Sequence, residues 1–342
     1  MDPRSVGLES WGIYLPNYKH TSEYISKESG IPKNILEDKF GLKSKTVPGP
    51  EDHTVAMGAK ASFQALERAN ITAEDLDIII WAGEVYAERP MMTYGIKLQQ
   101  LLGNPTKPWA FDINQRCGTF LVGMLIAKSL LQTNPSIKRV LIASGYRNSD
   151  LINYKNQNSR FMISLAASGA AAILRGDYKK NEILGISAIS DGRFADDVYV
   201  PAGGTILPIS KEAIDKDLIY LDVPDPEGLK QRLDKFSMDA FVKVIDDALT
   251  QSGCTREDID YLALLHMKRS AFEYVAKAVG VDPYKQTTYF EEIGHNGQND
   301  GIISLEYGLK SGKIKEGDIV VLTAAGIGWA WNAGVIKWGL TK

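Results

Sequence analysis

Alternating and helical patterns of apolar residues divide most of the chain into short strands and longer helices. Over residues Trp109 to Asn114, bulky apolar residues occupy every second position, which is the period of a strand. The run from Phe120 to Ala127 is almost wholly apolar, as expected of a helix that is buried on all sides. Elsewhere helical patterns alternate with short strands rich in Val, Ile and Leu. This alternation predicts mostly parallel sheets covered by helices.

Two pairs of segments indicate a long-range duplication. "ALERANITAEDLDIIIWAG" (Ala65 to Gly83) aligns without gaps with "ALTQSGCTREDIDYLALLH" (Ala248 to His266), and "RVLIASG" matches "VVLTAAG" at nearly the same offset. We therefore predict two duplicated halves, residues 1–180 and 220–342, joined by a connecting excursion over residues 181–219. The middle of the chain is rich in Gly, Pro and Asp, and we expect it to extend a sheet edge and to form one wall of an entrance.

The composition is that of an ordinary globular protein. The chain has 342 residues, of which 44% are hydrophobic and 24% are charged, so it can bury a large core. A formal net charge of -3 at pH 7 provides neither a basic surface for nucleic acid nor a polybasic membrane patch. We therefore expect small molecules or proteins as partners, with no nucleic acid and no membrane.

Cysteine usage and the N-terminal sequence bear on the compartment. The two cysteines, Cys117 and Cys254, cannot form a disulfide framework or a four-ligand zinc site, which indicates a reducing compartment. The first residues, "MDPRSVGLESWGIYLP", lack the cationic start and long apolar segment of a secretory leader, and no later stretch is suited to span a bilayer. We expect a soluble cytoplasmic protein.

Cys117 lies where the predicted strand gives way to the apolar helix. The unpaired N–H groups and the positive dipole end of a helix stabilise an anion, so a thiol there can have a lowered pKa. The same N–H groups can hold the oxyanion of a thioester under attack. The alternative is a buried, inert cysteine, and the position of Cys117 alone does not decide between the two.

A thiol nucleophile needs a base or cation nearby, and the chain contains four histidines. His266 ends the strand "DYLALLH", and His295 occupies the loop "IGHNGQND", which duplicates the loop that carries Cys117. Packing of the two halves about a pseudo-twofold axis would bring these loops together. Each histidine alone is more often structural, but two at matched strand ends facing a cysteine indicate catalysis.

The sequence resembles thiolase-like condensing enzymes, most closely ketoacyl-acyl carrier protein synthase III and its relatives, which include hydroxymethylglutaryl-CoA synthase. The resemblance extends from "GIYLPNYKHTSEYI" through "FDINQRCGTF" and "DIDYLALLH" to "SGKIKEGDIVVLTAAGIGWAWNAGVIKW". It implies an α/β fold with five layers, αβαβα, and a homodimer. It also implies that Cys117 accepts an acyl group from acyl-CoA and that His266 supports the condensation.

The resemblance implies further site residues. The third catalytic place falls in "GHNG", on His295 by an ungapped count or on Asn296 after a shift of one residue. Either side chain can donate a hydrogen bond to a thioester carbonyl. The backbone of the loop Gly326, Ile327 and Gly328 would complete the oxyanion hole, although relatives have glycine where this chain has Ile327.

Substrate-binding positions show departures from the family pattern. The residue before the nucleophile is commonly small in the family, whereas Arg116 can lower the thiol pKa, pair with Asp112, or form an outward salt bridge. Lys39 stands where relatives place an arginine that flanks the CoA adenine. Met91 and Met92 match a region that lines the acyl pocket of the partner subunit, and ordinary core packing explains them equally.

An acidic residue near a thioester pocket would suit proton transfer if burial raised its pKa. Glu51 and Asp52 lie near where hydroxymethylglutaryl-CoA synthases carry a general acid, so Glu51 is a possible acid. We rather expect these two residues to cap a helix that begins near Thr54. His53 is too isolated in sequence to be a metal ligand.

The resulting hypothesis is a 3-oxoacyl thioester synthase that performs a ping-pong Claisen condensation. Acyl-CoA loads Cys117, and a malonyl unit on CoA or on an acyl carrier protein then loses CO2 and attacks the acyl-enzyme. No metal and no other cofactor is expected, because thioester chemistry supplies the driving force. "GIGWAWNAG" also lacks the spacing of a dinucleotide fingerprint. The alternatives are a non-decarboxylative condensation or acyl transfer to another small nucleophile, a non-catalytic acyl-binding subunit, and a cysteine hydrolase.

Overall fold

The computed structural model, which describes residues 4–283, 286 and 290–340, consists of strands that alternate with helices. The strands are β1 (Val6–Tyr14), β2 (Tyr18–Thr21), β3 (Ser44–Val47), β4 (Ile78–Ala82), β5 (Trp109–Ile113), β6 (Arg139–Tyr146), β7 (Ser168–Gly176), β8 (Lys180–Ser190), β9 (Ile259–Leu264), β10 (Ile319–Gly326) and β11 (Ala330–Leu340). The helices are α1 (Ser22–Ser29), α2 (Lys33–Asp38), α3 (Thr54–Ala69), α4 (Tyr94–Leu101), α5 (Thr119–Thr133), α6 (Lys211–Asp215), α7 (Pro226–Gln251), α8 (Arg269–Ala278), α9 (Phe290–Ile293) and α10 (Asp300–Lys310).

Nine of these strands form one sheet in the order β5-β4-β6-β7-β1-β8-β11-β10-β9, and β2 pairs with β3 separately. Within the described residues, parallel pairing is confined to β4 with β5, β4 with β6, and β9 with β10. The expectation of mostly parallel sheets is therefore wrong. Strands such as β10 and β11 follow each other through a short turn, and such a turn can join only antiparallel neighbours.

The apolar clusters show a layered architecture. One cluster packs α3 and α4 against β4, β6 and β7. A second lies on the opposite face of the same strands, where it also contains α5, α10 and residues of β9 and β10. A third packs α7 and α8 against the far face of β9, β10 and β11. β1 and β8 pair at a single position, Gly7 with Glu182, so the strands on the two sides of that pair form separate layers around the second cluster. Helices and strands therefore alternate as αβαβα, and the predicted five-layer fold is confirmed.

The duplicated segments fold alike. After α3, Asn70 adopts a left-handed conformation (φ 53°), and a short 3-10 turn with a capping box of Thr72 and Asp75 leads into β4. After α7, Gly253 is also left-handed (φ 67°), and a matching capping box leads into β9, with its residues Thr255 and Asp258 at the same offset in sequence. The structural equivalence of these segments is confirmed, whereas the proposed limits of the two halves stay a prediction.

The connecting region contains a central strand. β8 lies between β1 and β11 in the middle of the sheet and pairs with β11 over most of its length. The expectation that this region extends a sheet edge is therefore wrong for β8. Its burial pattern explains the error. The consistently buried face carries Asn181, Ile183, Gly185 and Ser187, so β8 has a weaker apolar signal than β4.

No helix in the described part of the chain is both long enough and apolar enough to cross a membrane.

Candidate functional site

Cys117 occupies the predicted corner between strand and helix. β5 ends at Ile113, the 3-10 turn Arg116–Gly118 follows, and α5 begins at Thr119. The side chain of Thr119 ties the turn together, since its hydroxyl donates to the carbonyl of Arg116 and accepts from the backbone N–H of Gln115. Cys117 is 8% exposed and forms no disulfide, so its thiol is held at a fixed point before the helix.

His295 is the histidine that contacts the thiol. Its Nε2 atom lies 3.6 Å from Cys117 Sγ. The side-chain amide of Asn296 is engaged elsewhere, because its Nδ2 donates to the carbonyls of Ile293 and Gly294 at 3.2 and 3.1 Å. The structure therefore brings His295 to the sulfur and points the Asn296 amide into the backbone of its own loop.

Asp300 connects both histidine segments. One of its oxygens, Oδ2, accepts from the His295 ring at Nδ1 (2.5 Å) and from the backbone N–H of His266 (2.8 Å). The other oxygen accepts from the backbone N–H of Asn296 at 2.9 Å. The rings of His266 and His295 are nearly parallel, with centroids 6.3 Å apart. Asp300 is thus the residue that fixes the ring orientation of His295 relative to Cys117.

The two histidines have opposite charge preferences. Burial lowers the pKa of His266 to about 4, and the charge of Asp300 only partly opposes this effect. Burial also acts to lower the pKa of His295, but the charge and hydrogen bond of Asp300, together with Cys117, outweigh it and raise that pKa to about 10. At neutral pH His266 is therefore neutral, and His295 is an imidazolium that can donate a hydrogen bond to a thiolate.

The turn between β10 and β11 lies against the nucleophile. A Cβ atom added to Gly326 would lie 2.6 Å from the carbonyl oxygen of Gln115 and 3.1 Å from the backbone nitrogen of Cys117. Only glycine permits this approach. Gly326 is buried, Ile327 is half-buried and Gly328 is exposed, so the predicted oxyanion-hole loop and the Cys117 N–H lie on the same side of the site.

Arg116 pairs with Glu84, an acid that the sequence analysis did not single out. Its guanidinium lies 3.8 Å from Glu84 Oε2. Asp112, the alternative partner, instead accepts the backbone N–H groups of Tyr94 and Gly95 at the start of α4. Pairing with Asp112 is therefore wrong, because those two N–H groups at the helix N-terminus occupy its carboxylate.

Glu84 is 2% exposed, and its Oε1 atom has no hydrogen-bond partner among the described residues. Burial raises the pKa of Glu84, and the charge of Arg116 acts in the opposite direction. Glu84 lies two residues after the end of β4, whose five residues are all buried. A charged residue at the carboxyl end of a buried parallel strand is the signal that sequence reasoning missed.

The acids before α3 have other roles than those expected. Glu51 is exposed, and Asp52 accepts hydrogen bonds from Tyr14 and Lys60. The helix begins at Thr54 as predicted, but Glu88 accepts its first N–H groups. The prediction that Glu51 and Asp52 cap α3 is therefore wrong, because a carboxylate from a distant loop occupies the helix N-terminus. The proposed acid role of Glu51 stays a prediction, although Glu84 is the carboxyl found beside Arg116.

The predicted substrate-binding residues lie on the surface or at its edge. Met91 is fully exposed, Met92 packs against the α3 and α4 cluster, and Lys39 is exposed at the end of α2. Core packing therefore explains Met92 but not Met91. Their roles in binding stay predictions.

A cavity of about 10 Å³ adjoins the buried side of Cys117, lined largely by apolar residues of α5, α10 and β10. A space of this size holds no more than a water molecule, so an acyl chain has to occupy another side of the sulfur. Among the described residues, no group of three or more His, Cys, Asp or Glu side chains is arranged to hold a metal ion.

Comparison with known proteins gives a consistent family assignment. Family models described as the 3-oxoacyl-[acyl-carrier-protein] synthase III domain and its C-terminal domain match residues 111–192 and 249–338. The β-ketoacyl-[acyl-carrier-protein] synthase III of Caldanaerobacter subterraneus subsp. tengcongensis is 31% identical over 339 residues, which cover 98% of each chain. The enzyme of that name from Clostridioides difficile is 27% identical, with 98% of this chain and 99% of its own covered.

A solved structure shows the same fold. The crystal structure of 3-oxoacyl-[acyl-carrier-protein] synthase III from Aquifex aeolicus VF5 superposes with a TM-score of 0.84 at 20% identity, and 97% of this chain and 100% of that chain are covered. The layered fold, the Cys117 corner and the relatives all point to one assignment. The chain belongs to the 3-oxoacyl-[acyl-carrier-protein] synthase III family and is an acyltransferase of the thiolase-like condensing type.

Proposed function

We propose that this chain is a 3-oxoacyl thioester synthase that works by a ping-pong Claisen condensation with Cys117 as the acyl carrier. The observation that carries the proposal is the contact of 3.6 Å between Cys117 Sγ and a histidine whose other nitrogen is bonded to Asp300. The raised pKa of His295, about 10, keeps its Nε2–H as a hydrogen-bond donor at the sulfur at neutral pH. That donor stabilises the negative charge on the sulfur when Cys117 attacks a thioester.

Loading begins with attack of the Cys117 thiolate on the carbonyl carbon of an acyl-CoA. The developing oxyanion accepts hydrogen bonds from the N–H of Cys117 and from the adjacent turn after Gly326. The carbon–sulfur bond to CoA then breaks, and the CoA thiolate leaves and takes a proton from water. Acylation removes the negative charge from the sulfur, so the Nε2–H of His295 becomes available for the second substrate.

Condensation follows when a malonyl thioester lies beside His266 and His295. Loss of CO2 leaves an electron pair that becomes an enolate, and the imidazolium of His295 and the neutral ring of His266 stabilise its oxygen. The enolate carbon attacks the acyl group, and the Cys117 thiolate departs. Every bond change balances among the thioesters, Cys117 and CO2, so the proposed cycle needs no metal and no nicotinamide.

The proposed substrates follow from the relatives. They are named for an acyl carrier protein, which we propose as the carrier of the malonyl unit, with CoA as the carrier of the acyl unit. We also propose a homodimer. β5 is an edge strand of the sheet, and it exposes Trp109, which stacks on Phe111 with centroids 4.8 Å apart. A row of unpaired strand groups with exposed aromatic side chains suits a second copy.

Product analysis tests the proposed reaction. The protein is incubated with acetyl-CoA and either a malonyl thioester or a second acetyl thioester. We expect a 3-oxoacyl thioester and CO2 with malonyl only, and no product from Cys117→Ala. His266→Ala should still accept the acyl group but should lose condensation, because the enolate loses a hydrogen-bond partner. Condensation without CO2 would favour the non-decarboxylative alternative, and free acid alone would indicate a hydrolase.

A further inference from the structure

Arg116 has a backbone conformation that is uncommon for its residue type. Its φ angle is 52°, in the left-handed region, and its N–H donates to the side chain of Asn114. A left-handed conformation is strained for a residue other than glycine, and such strain is concentrated at functional sites. The turn thus holds a long cationic side chain directly before the nucleophile.

The guanidinium of Arg116 is only partly engaged. Its side chain is 41% exposed, and it approaches Glu84 through a single contact of 3.8 Å. At 3.8 Å this contact is longer than a hydrogen bond, so the guanidinium N–H groups can still bind another acceptor. Burial also raises the pKa of Glu84, which weakens its pairing with Arg116. Asp112 is occupied by the N-terminus of α4. Arg116 therefore retains a positive charge and several N–H donors next to Cys117.

We propose that Arg116 binds the free carboxylate of the second substrate and so makes this chain select a thioester of a dicarboxylic acid, such as a malonyl thioester. A guanidinium can hold a carboxylate with two parallel hydrogen bonds, which gives geometry as well as charge recognition. This assignment rests on the proposed condensation and adds the residue that chooses the substrate.

The chemistry predicts how Arg116 divides its effect between binding and turnover. The substrate carboxylate leaves as CO2, and its charge moves to the enolate oxygen near the histidines. The contact with Arg116 is therefore stronger in the bound substrate than in the transition state. Interactions of that kind lower KM and do not raise kcat. Arg116 acts as a specificity-determining residue, and His266 and His295 act on the enolate.

Binding measurements on Cys117→Ala test the assignment, because this variant cannot form an acyl-enzyme. Dissociation constants are measured for malonyl-CoA and for acetoacetyl-CoA, which has a similar size and no carboxylate. We expect Cys117→Ala to bind malonyl-CoA more tightly than acetoacetyl-CoA. Adding Arg116→Gln to this variant should reduce that preference by about tenfold to a hundredfold, as for loss of a charged hydrogen bond. Arg116→Lys should retain part of it. Glu84→Gln, which mimics the protonated acid, should retain all of it.

The assignment would be overturned if Cys117→Ala showed no preference for malonyl-CoA. It would also be overturned if Arg116→Gln left that preference unchanged or if Glu84→Gln abolished it. Steady-state kinetics in the chain with Cys117 provide the second readout. Arg116→Gln should raise KM for the malonyl thioester by more than it changes kcat, whereas a fall in kcat at constant KM would contradict a binding role. The binding ratio is measurable even if no condensation occurs, so failure of this assignment is distinguishable from failure of the proposed function.

Discussion

Asp300 determines the charge state of the site at the scale of single residues. It pairs with the ring of His295, and it accepts the backbone N–H of His266. The two buried histidines consequently have pKa values of about 10 and about 4. One ring is thus prepared to stabilise a thiolate and later an oxyanion, and the other remains neutral across the physiological range.

Replacement of Asp300 by asparagine should slow the reaction of Cys117 at neutral pH. The folded pKa of His295 would fall from about 10 toward the ordinary value of 6.5, so at pH 7.5 only about a tenth of His295 would be protonated. We expect the rate of Cys117 alkylation by iodoacetamide at pH 7.5 to fall on the order of tenfold, because the protonated ring that stabilises negative charge on the sulfur is lost. Alkylation followed by mass spectrometry measures this rate.

Asp77→Asn is the matched control for that experiment. Asp77 is a hydrogen-bonded acid that binds the backbone N–H groups of Lys138 and Arg139, on a turn outside the site. Its replacement should leave the alkylation rate of Cys117 unchanged. Equal rates for Asp300→Asn and the unmodified protein would show that Asp300 does not control the thiolate.

Cys117 and the two histidines could be predicted from the sequence, because the duplication aligned their loops. Asp300 could not, and Glu84 was missed although its place after a buried strand is visible in the sequence. Asp300 matters through hydrogen bonds to three backbone or ring nitrogens that come together only in the folded loop. Glu84 matters through burial and its proximity to Arg116, and neither has a spacing pattern in the sequence. The choice between His295 and Asn296 also required the loop conformation.

At the scale of elements, the β10–β11 turn and the Cys117 turn form one packed unit. Gly326→Ala should disturb it, because the added Cβ would lie 2.6 Å from the carbonyl oxygen of Gln115. We expect the rate of acyl loading to fall by at least tenfold, as the backbone N–H groups move from the oxyanion position. Stopped-flow release of CoA measures the rate.

Gly301→Ala provides the control for the turn. Its added Cβ would make only ordinary contact, 3.8 Å from the side chain of Leu322, and helix α10 tolerates alanine well. Acyl loading should remain near the rate of the unmodified protein. If Gly326→Ala loaded as fast as Gly301→Ala, the turn would not contribute to oxyanion binding.

Element boundaries were predictable where the apolar pattern was strong. The strand and helix around Cys117 and the repeated helix, turn and strand units lie where the pattern placed them. The pairing directions were not predictable, because the pattern does not distinguish a buried parallel strand from a buried antiparallel one. β8 was missed as a central strand since only one of its faces is consistently buried.

At the scale of the whole molecule, the exposed edge at β5 predicts association of two copies. Trp109→Glu should shift the protein from dimer to monomer, because it places a charge on an apolar edge that the proposed dimer would bury. Sedimentation velocity over a concentration series measures the change. Phe63→Glu is the control, since Phe63 is exposed to a similar extent on α3 and should leave the association unchanged. A protein that is monomeric before mutation would contradict the proposed dimer.

The layered architecture as a whole was predictable from the duplication together with the family resemblance. The composition added only that a large core was possible. The position of the reactive sulfur between two halves of the fold follows from that architecture, since α5 and α10 share the central cluster between the sheet layers. The site therefore depends on the packing of residues from both duplicated regions.

Intact-mass analysis after incubation with a panel of acyl-CoAs tests directly whether Cys117 carries the acyl group. We expect a mass gain of one acyl group, located on Cys117 by peptide mapping and absent in Cys117→Ala. A malonyl thioester should remove this acyl group and form the condensed product. An acyl group found on another residue, or turnover without any adduct on Cys117, would contradict the role of Cys117.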